Sequence, residues 1–476
     1  MHVKRDQAGL WTKLAKPVVI IGAGIAGLTA ALDFERRRIP TIVLEAGKTA
    51  GGLASSFKDD SGFTYDFGAH FVSNRLAEAL GAAEICRTVP HYGEAVHVEG
   101  RDYSYPLGLM ASPRFVASAL AARFNRHEPA NAADWFRNSY GEALARDVAI
   151  PLAEAWSGVP ATELAASVGE KFGSGVFKTV YLKAAARVTG RAVCNGYARE
   201  MPENAGVYHV YPEGGISKLL EPMLRQVEHR ILFESPVEKV IVENGRVAAV
   251  RSRGTEIPVA AVVSTAPVNI LPRLVEGTDA LAGLEQFRYR PMIFVNLRFA
   301  GRALLPDTML WVPDRSQAFF RVTEAPQAMA WLAPEGMTQL TFDIGCQVGD
   351  RHWTMSDEDL AAICLDGLCA IDPSLRARYR GAGGILRTPV AYPVHLAAYE
   401  ARRQAFARDT GVPGLYSIGR NGEFAHLLME DVYYRTLKRC QAVADYVAIR
   451  TAHPDAWMEV PLPDYRPEGD LGQRVA

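Results

Sequence analysis

Three glycines and one glutamate near the start of the chain have the spacing of a dinucleotide site. Gly22, Gly24 and Gly27 follow the apolar run Val18–Ile21, and Glu45 lies 18 residues after Gly27. The first glycine permits a tight turn, the second lets a pyrophosphate approach the backbone, and the third lets a helix pack closely on the strand. The amides and the dipole of the helix start meet the phosphate charge, and Glu45 can accept both ribose hydroxyls. These residues therefore predict dinucleotide binding.

The residues between the glycines and the glutamate predict the elements that position them. Val18–Ile21 has the β-branched character of a strand, and residues 25–38 have a helical pattern that ends before Pro40. Thr41–Leu44 is a second short apolar strand that leads directly into Glu45. The order strand, glycine turn, helix, strand, acid predicts one βαβ unit.

The residues after Glu45 indicate which dinucleotide binds. A glycine pair, Gly51-Gly52, is followed by Leu53, and residues 63–70 read FTYDFGAH. Both segments resemble those of a flavoprotein group that includes amine oxidases, protoporphyrinogen oxidases, phytoene desaturases and UDP-galactopyranose mutases. In that group they line FAD, so the resemblance implies that the cofactor is FAD.

The resemblance continues to residue 447 and implies further contacts with FAD. Val237 matches a valine whose backbone contacts the adenine, and residues 414–420 (GLYSIGR) match a glycine turn near the flavin. No cysteine lies near Gly419 to tether the flavin, so FAD is expected to be non-covalent. The expected cofactor-binding residues are Gly22, Gly24, Ile25, Ala26, Gly27, Glu45, Ala46, Gly51, Gly52, Leu53, Gly68, Ala69, His70, Val237, Gly419, Arg420, Met429 and Glu430.

The expected fold class is α/β, with a Rossmann-type (GR2-like) FAD-binding domain, an inserted mixed-sheet substrate domain and a helical lid. The FAD-binding domain is predicted to be discontinuous, in residues 16–75, 207–269 and 410–450. Residues 76–206 would form the helical lid, 270–409 the mixed-sheet substrate domain, and 451–476 a C-terminal tail. Asn244-Gly245, between alternating apolar runs, predicts a hairpin. Residues 414–447 predict a strand, a glycine turn and one long helix.

Four polar side chains are the candidates for chemistry beside the flavin, since FAD itself would supply the redox step. His70 either bonds the cofactor or takes a proton, or it is a packed structural histidine. Arg321 resembles an arginine of the mutases that binds substrate diphosphate together with the arginine that Arg420 matches. Tyr392 resembles a residue bordering the mutase pocket. Two interpretations stay open: the arginines bind an anionic substrate, or Arg420 only caps the charge of the flavin and Arg321 is a surface charge.

Two departures from the resembled sequences keep the substrate open. Leu53 stands where amine oxidases usually carry an arginine, and no tyrosine occurs in residues 423–429 after Arg420. Arginine and tyrosine donors are what a diphosphate needs, so the second departure argues against a UDP-sugar.

Composition excludes several classes of protein. The net charge of −1 and pI near 6.8 give no general attraction to nucleic acid or to an anionic membrane. The six cysteines are widely spread without a CxxC pair, so neither a metal site nor a disulfide framework is expected. No apolar stretch is long enough for a membrane span, and no signal peptide is recognisable. A cytoplasmic enzyme for a small molecule is expected, and the sequence does not define its oligomeric state.

Three functions remain open at this level. In the first, a small organic substrate loses a hydride to flavin N5, and O2 or another acceptor reoxidises the cofactor. In the second, the protein is a non-redox mutase of the UDP-galactopyranose mutase type, in which reduced flavin N5 attacks a sugar carbon. The third is a binding protein that FAD only stabilises. The first is the expected function.

Overall fold

A computed structural model describes residues 16–70, 72–105, 108–124, 127–172, 176–194 and 198–452. These residues form two compact units. The first unit contains described residues 16–52, 222–287 and 401–452, and the second contains those of 53–221 and 288–400. Residues 1–15 and nearly all of the predicted C-terminal tail lie outside the described residues. The predicted domain boundaries stay predictions, because compactness alone does not show where a cofactor binds.

The strands of the first unit belong to two sheets. They are β1 (Val18–Ile21), β2 (Thr41–Leu44), β9 (Ile231–Leu232), β10 (Val237–Glu243), β11 (Arg246–Ser252), β12 (Thr255–Pro258), β13 (Ala261–Ser264), β14 (Val275–Glu276) and β20 (Leu415–Ser417). The strands of the second unit are β3 (Ser56–Lys58), β4 (Thr64–Asp66), β5 (Cys86–Thr88), β6 (Glu94–Val98), β7 (Arg101–Ser104), β8 (Val210–Pro212), β15 (Arg288–Ala300), β16 (Met309–Trp311), β17 (Arg321–Thr323), β18 (Met337–Gly345) and β19 (Tyr379–Val394).

The α-helices complete both units. In chain order they are α1 (Ile25–Arg36), α2 (Asn74–Ala79), α3 (Pro113–Ala122), α4 (Ala132–Tyr140), α5 (Glu142–Leu144), α6 (Ile150–Ser157), α7 (Val176–Thr189), α8 (Glu221–Val227), α9 (Leu271–Leu274), α10 (Ala325–Ala328), α11 (Arg351–Thr354), α12 (Asp357–Ile371), α13 (Glu400–Arg408), α14 (Gly419–Gly422) and α15 (Met429–Ala452). A π-helical turn, Ala145–Ala149, joins α5 to α6.

The central sheet of the first unit is parallel and has the strand order β20-β13-β1-β2-β9. All four residues of β1 are buried, as expected for a strand with neighbours on both edges and on both faces. The hairpin β10–β11 turns at Asn244-Gly245, as predicted, and Asn244 has the positive φ of 51° that this turn needs. This sheet and the mixed sheet of the second unit confirm the predicted α/β class.

The second unit is built on a seven-stranded mixed sheet with the order β19-β15-β18-β17-β16-β6-β7. One face of its central strands is apolar and includes Val295 of β15, Val322 of β17 and Phe342 of β18. This face packs on α12, whose start is capped by the Ser356 side chain accepting from the amide of Asp359. Because side chains alternate along a strand, the neighbouring residues of the same strands must point to the other face.

The long helix predicted after the second glycine turn is confirmed, and a short helix precedes it. The chain forms the short helix α14 and then a separate helix, α15, which begins at Met429. Phe424 lies between them with a positive φ of 49°, which an α-helix cannot accommodate. Its ring is fully buried against Phe287, with ring centroids 4.8 Å apart. Burial of this aromatic ring therefore accompanies the break in the helix.

Candidate functional site

The three glycines after β1 form a turn with no room for side chains at two of its positions. Gly22 has φ +96°, and a Cβ on Gly27 would lie 1.9 Å from the carbonyl oxygen of Gly22. Gly24 differs, because a Cβ there would meet only the carbonyl oxygen of Gly51, at 3.9 Å. Gly22 and Gly27 are thus required by the close packing of strand and helix, whereas the space beside Gly24 is open within the described residues.

The start of α1 carries no side-chain cap. Gly24 is its N-cap with extended backbone, and no acidic residue lies in the first turn. The first amides of a helix lack partners within the helix, and the dipole places partial positive charge there. An uncapped helix start beside an open glycine position fits a phosphate.

Glu45 and the glycine pair lie beside this turn. The Glu45 carboxylate accepts hydrogen bonds from the amides of Ala23 and Gly47, each at 2.7 Å. Gly51 donates to the carbonyl of Ala23 at 3.0 Å. A carboxylate oxygen can accept more than one hydrogen bond, so Glu45 keeps capacity for a ribose.

The second glycine turn, far along the chain, contacts the first. Gly419 has φ +78°, and a Cβ on it would come within 2.7 Å of the Cβ of Ala26 in α1. The segment that precedes Val237 also lies beside Glu45, because the backbone amide of Ser235 donates to the carbonyl of Glu45 at 2.8 Å. Several residues of the first unit that are predicted to bind FAD, among them Glu45, Gly51 and Gly419, are thus brought together around the start of α1, and the glycine cradle there fits a dinucleotide.

The seven-stranded sheet presents buried polar side chains on the side opposite α12. We call this side the polar face and define it by Asn296 of β15, Arg321 and Thr323 of β17, and Gln339, Thr341 and Asp343 of β18. Each of them is at most 8% exposed. Burying polar groups is costly, so a buried polar face on an otherwise apolar sheet indicates a functional surface.

The charged pair of the polar face is Arg321 with Asp343. The guanidinium donates to the carboxylate, and it lies over the Trp311 ring with Cζ 5.3 Å from the ring centroid. Burial alone would lower the pKa of Arg321, but the charge of Asp343 and the nearby phenol of Tyr392 outweigh it and raise that pKa. The phenol of Tyr392 is therefore within electrostatic range of Arg321, and the positive charge of Arg321 already has a partner.

A chain of amide hydrogen bonds fixes the neutral part of the polar face. The Asn296 Nδ2 donates to the carbonyl of Gly384 at 2.7 Å, so its Oδ1 must face the sheet. That oxygen accepts from Gln339 Nε2 at 3.1 Å and from the Thr341 hydroxyl at 2.7 Å. The amide of Gln339 therefore has one orientation, with Nε2 used and Oε1 remaining.

His70 lies beside part of the polar face. It lines a cavity of the second unit that is also lined by Gly68, Thr323 and Gln339. Gly68 has φ +75°, and a Cβ on it would come within 2.7 Å of the Phe294 ring. Sequence reasoning finds His70 and Arg321 but misses the other residues of the polar face.

The predicted site residues thus fall into two sets. One set lies in the first unit around α1, β20 and the start of α15, and includes Arg420. The other lies in the second unit and consists of Leu53, Gly68, Ala69, His70, Arg321 and Tyr392. The polar residues that sequence reasoning missed, chiefly Gln339, Thr323 and Asp343, alternate with apolar residues along their strands. That period-two pattern shows that the polar residues of one strand share a side, but only the pairing between strands shows that they are buried together.

Two further observations concern the described residues alone. They contain no group of three or more histidine, cysteine, aspartate or glutamate side chains placed to hold a metal ion. No helix within the described ranges has both the length and the apolar character that crossing a membrane requires.

Comparisons with known proteins extend over most of the chain. A family model described as flavin containing amine oxidoreductase matches residues 25–443. The zeta-carotene-forming phytoene desaturase of Myxococcus xanthus is 25% identical over 375 residues, which cover 68% of this chain and 71% of that protein.

Solved structures share the fold at low sequence identity. A reduced UDP-galactopyranose mutase superposes with a TM-score of 0.73 at 17% identity, covering 92% of this chain and 98% of that one. Cyclohexylamine oxidase from Brevibacterium oxydans superposes with a TM-score of 0.68 at 16% identity, covering 91% of this chain and 100% of that one.

Proposed function

Because this chain belongs to the flavin containing amine oxidoreductase family, we propose that it removes hydride from a small organic substrate held on the polar face. As a member of this family, the protein is an FAD-dependent oxidoreductase. The proposal that its substrate is held on the polar face rests on the burial of polar residues there. Its six residues are buried, yet they include hydroxyl, amide and charged groups whose burial costs free energy. Such groups are retained where they meet a ligand.

The glycine cradle of the first unit would hold FAD. In this proposal the pyrophosphate lies at the start of α1 beside Gly24, and Glu45 accepts the ribose hydroxyls. Gly419 and Arg420 would lie near the flavin end, with Arg420 balancing negative charge on the cofactor. When bound, FAD supplies the redox chemistry by accepting electrons from the substrate, and O2 or another acceptor takes them away.

Three side chains of the second unit would handle the substrate. His70 is proposed to hold or move a proton at its imidazole, because it lines the cavity on the polar face. Tyr392 is proposed to orient the substrate beside Arg321, whose own charge is paired with Asp343. Arg321 would act as a hydrogen-bond donor through its Nε, which is buried without a hydrogen-bond partner among the described residues.

Anaerobic reduction of the flavin tests the proposal. The FAD-loaded enzyme is mixed without oxygen with a panel of alcohols and amines, and loss of the yellow absorbance is followed by stopped flow. A substrate is expected to bleach the flavin, and Thr341→Val, which alters the polar face while keeping side-chain shape, is expected to slow bleaching. Tyr181→Phe, at an exposed site of α7, is the control. Bleaching at the same rate in Thr341→Val would contradict the assignment of the polar face.

A non-redox isomerase is the second candidate. The closeness of Arg321 to Tyr392 favours it, since both residues match positions of the mutase pocket. The pairing of Arg321 with Asp343 weighs against it, because a diphosphate would have to compete with a buried carboxylate. Turnover that appears only after dithionite reduction, with no net consumption of an electron acceptor, would favour the isomerase over the oxidoreductase.

A further inference from the structure

A small cavity on the polar face has neutral hydrogen-bonding groups without partners. Its volume is about 50 Å³, and its lining includes Thr308, Thr323 and Gln339. Their exposed fractions are 1%, 4% and 4%. Thr308 Oγ1, Thr323 Oγ1 and Gln339 Oε1 are all buried with no hydrogen-bond partner among the described residues. A buried acceptor or donor without a partner is costly, so this cluster indicates that something polar binds there.

The chemistry of Gln339 determines what it can bind. Its Nε2 is committed to Asn296 Oδ1, and Asn296 is in turn anchored to a backbone carbonyl. The free atom is therefore Oε1, which can only accept a hydrogen bond. A ligand must present an O–H or N–H to it. The hydroxyls of Thr308 and Thr323 can both donate and accept, so they suit a ligand oxygen.

Two charged groups in or near the cavity, Asp66 and Arg321, already have partners before any ligand arrives. Asp66, which lines the cavity, accepts from the Tyr211 hydroxyl and, at 3.3 Å, from the amide of Ile216. Arg321, two residues before Thr323 on β17, is paired with Asp343. An anionic ligand group would therefore meet an acceptor oxygen at Gln339 and a cation that is already neutralised. A neutral ligand group avoids both problems.

Part of the remaining wall of the cavity is apolar, beside the rings of His70, Tyr92 and His209. Val89, Met329 and Leu332 line it. A methionine and two branched aliphatic side chains favour contact with a hydrocarbon part of the ligand, because they offer it no hydrogen bond. The cavity therefore matches a molecule that is neutral, carries a hydroxyl at one end and is apolar next to it.

We propose that this cavity binds a neutral hydroxyl-bearing end of the substrate, and that Gln339 is a specificity-determining residue because its Oε1 accepts the hydroxyl hydrogen. Thr308 and Thr323 complete the hydrogen bonds of the hydroxyl oxygen. The inference rests on the proposed function in taking this hydroxyl-bearing molecule as the substrate. Its binding test does not involve flavin reduction, so the two can fail separately.

Three probes with the same carbon chain separate the charge states. Butan-1-ol, butyrate and butylammonium are each titrated into the FAD-loaded enzyme, and binding is measured by saturation-transfer NMR. Butan-1-ol is expected to bind at least about tenfold more tightly than butyrate, since the anion has no donor for Gln339. Equal binding of the two, or binding of none because ordered water fills the cavity, overturns the proposal.

Variants assign the effect to Gln339. Gln339→Met keeps length but removes the acceptor, and about tenfold weaker binding of butan-1-ol is expected. Gln339→Glu is expected to shift preference to butylammonium. The matched control is Gln327→Met. Gln327 donates its Nε2 to the carbonyl of Leu305 and, like Gln339, has a buried Oε1 without a partner among the described residues, but it does not line the cavity. Unchanged butan-1-ol binding in Gln339→Met overturns the assignment.

A second variant protects the test against misfolding. Thr323→Val replaces one hydroxyl with a methyl at nearly constant shape, and about threefold to tenfold weaker binding of butan-1-ol is expected. If Gln339→Met does not fold, unchanged binding in Thr323→Val overturns the proposal. Selective binding of butan-1-ol without flavin bleaching by any alcohol or amine of the panel would support the cavity and contradict the proposed oxidation.

Discussion

Arg321 of β17 and Asp343 of β18 face each other as a buried ion pair on the polar face of the second unit. The exposed fractions are 8% for Arg321 and 0% for Asp343, and the two strands pair these residues in register. Removing both charges from water is costly, and their attraction offsets that cost only while both are present. The pair therefore gives the polar face a neutral centre and makes each partner depend on the other.

Removal of one partner is expected to destabilise the protein strongly. Arg321→Met leaves Asp343 buried without its cation, and Asp343→Leu leaves the arginine uncompensated. Each single variant should lose ~3–5 kcal/mol of unfolding free energy, the usual cost of breaking a buried pair. Urea denaturation followed by tryptophan fluorescence measures this.

The double variant is the control for this prediction. Arg321→Met with Asp343→Leu removes both charges, so most of the stability should return and the coupling energy of the cycle should be large. Additive losses in the double variant would show that the two side chains act independently, contrary to the buried pair.

Gly24 and Gly27 are expected to respond differently to the same substitution. A Cβ at Gly27 would lie 1.9 Å from the Gly22 carbonyl oxygen, so Gly27→Ala must move the backbone and lower the melting temperature. A Cβ at Gly24 meets nothing closer than 3.9 Å, so Gly24→Ala should keep the melting temperature of the apoprotein. It should nevertheless lose FAD, because the methyl group occupies the position where the pyrophosphate would approach.

Flavin content after purification and the melting temperature of the apoprotein measure both effects. Gly206→Ala, at a surface turn, controls for the loss of a glycine elsewhere, since a Cβ there meets only the flexible Asn204 side chain at 3.1 Å. Full FAD occupancy in Gly24→Ala would show that the pyrophosphate does not lie beside this residue.

The βαβ unit and the cofactor could be predicted from sequence because their determinants are local. Three glycines, a helix and an acid within 24 residues specify one turn whose geometry hardly depends on the rest of the chain. The contact of Gly419 with Ala26 joins residues almost 400 positions apart. Only the resemblance to known flavoproteins, and no spacing rule, could place Gly419 there.

Glu45 is expected to be important for FAD affinity rather than for folding. Its carboxylate accepts hydrogen bonds from the amides of Ala23 and Gly47, and the Glu45 residue is half-buried directly after β2. Glu45→Gln keeps one acceptor but places an NH2 group where an acceptor was, so one amide and one ribose hydroxyl lose a partner. About tenfold weaker FAD binding is expected, equal to ~1.4 kcal/mol.

Reconstitution of the apoprotein with FAD, followed by flavin fluorescence, gives this dissociation constant. Glu243→Gln, an exposed acid at the end of β10, is the matched control and should bind FAD like the parent protein. An unchanged dissociation constant in Glu45→Gln would contradict the ribose contact.

The polar face could not be predicted, because its meaning depends on pairing between distant strands. Thr323, Gln339 and Asp343 look like ordinary polar residues of short strands when each strand is considered alone. The register pairs Arg321 with Asp343 and Thr323 with Thr341, so the polar residues lie on one side of the sheet. Their apolar neighbours lie on the other side and pack against α12. Long-range register decides which polar residues are buried together, and periodicity within one strand does not contain it.

The pair His91–Asp307 is expected to make stability depend on pH near neutrality. His91 Nε2 lies 2.8 Å from Asp307 Oδ1, and this hydrogen bond raises the pKa of His91. Burial alone would raise the pKa of Asp307, but the bonds from His91 and the Thr308 amide lower it. A raised histidine pKa contributes stability that is complete below the unfolded value of about 6.5 and is lost as pH rises through the folded pKa.

Melting temperatures of the parent protein and His91→Gln at about pH 5.5 and pH 9 test this dependence. The parent should be more stable than the variant at the lower pH, and the difference should disappear at the higher pH. The difference should be small and should shrink further in high salt, because the His91 side chain is 67% exposed. His352→Gln, in α11, is the control for the loss of a histidine elsewhere in the second unit. A stabilising effect of His91 that is equal at both pH values would show that its protonation does not couple to folding through Asp307.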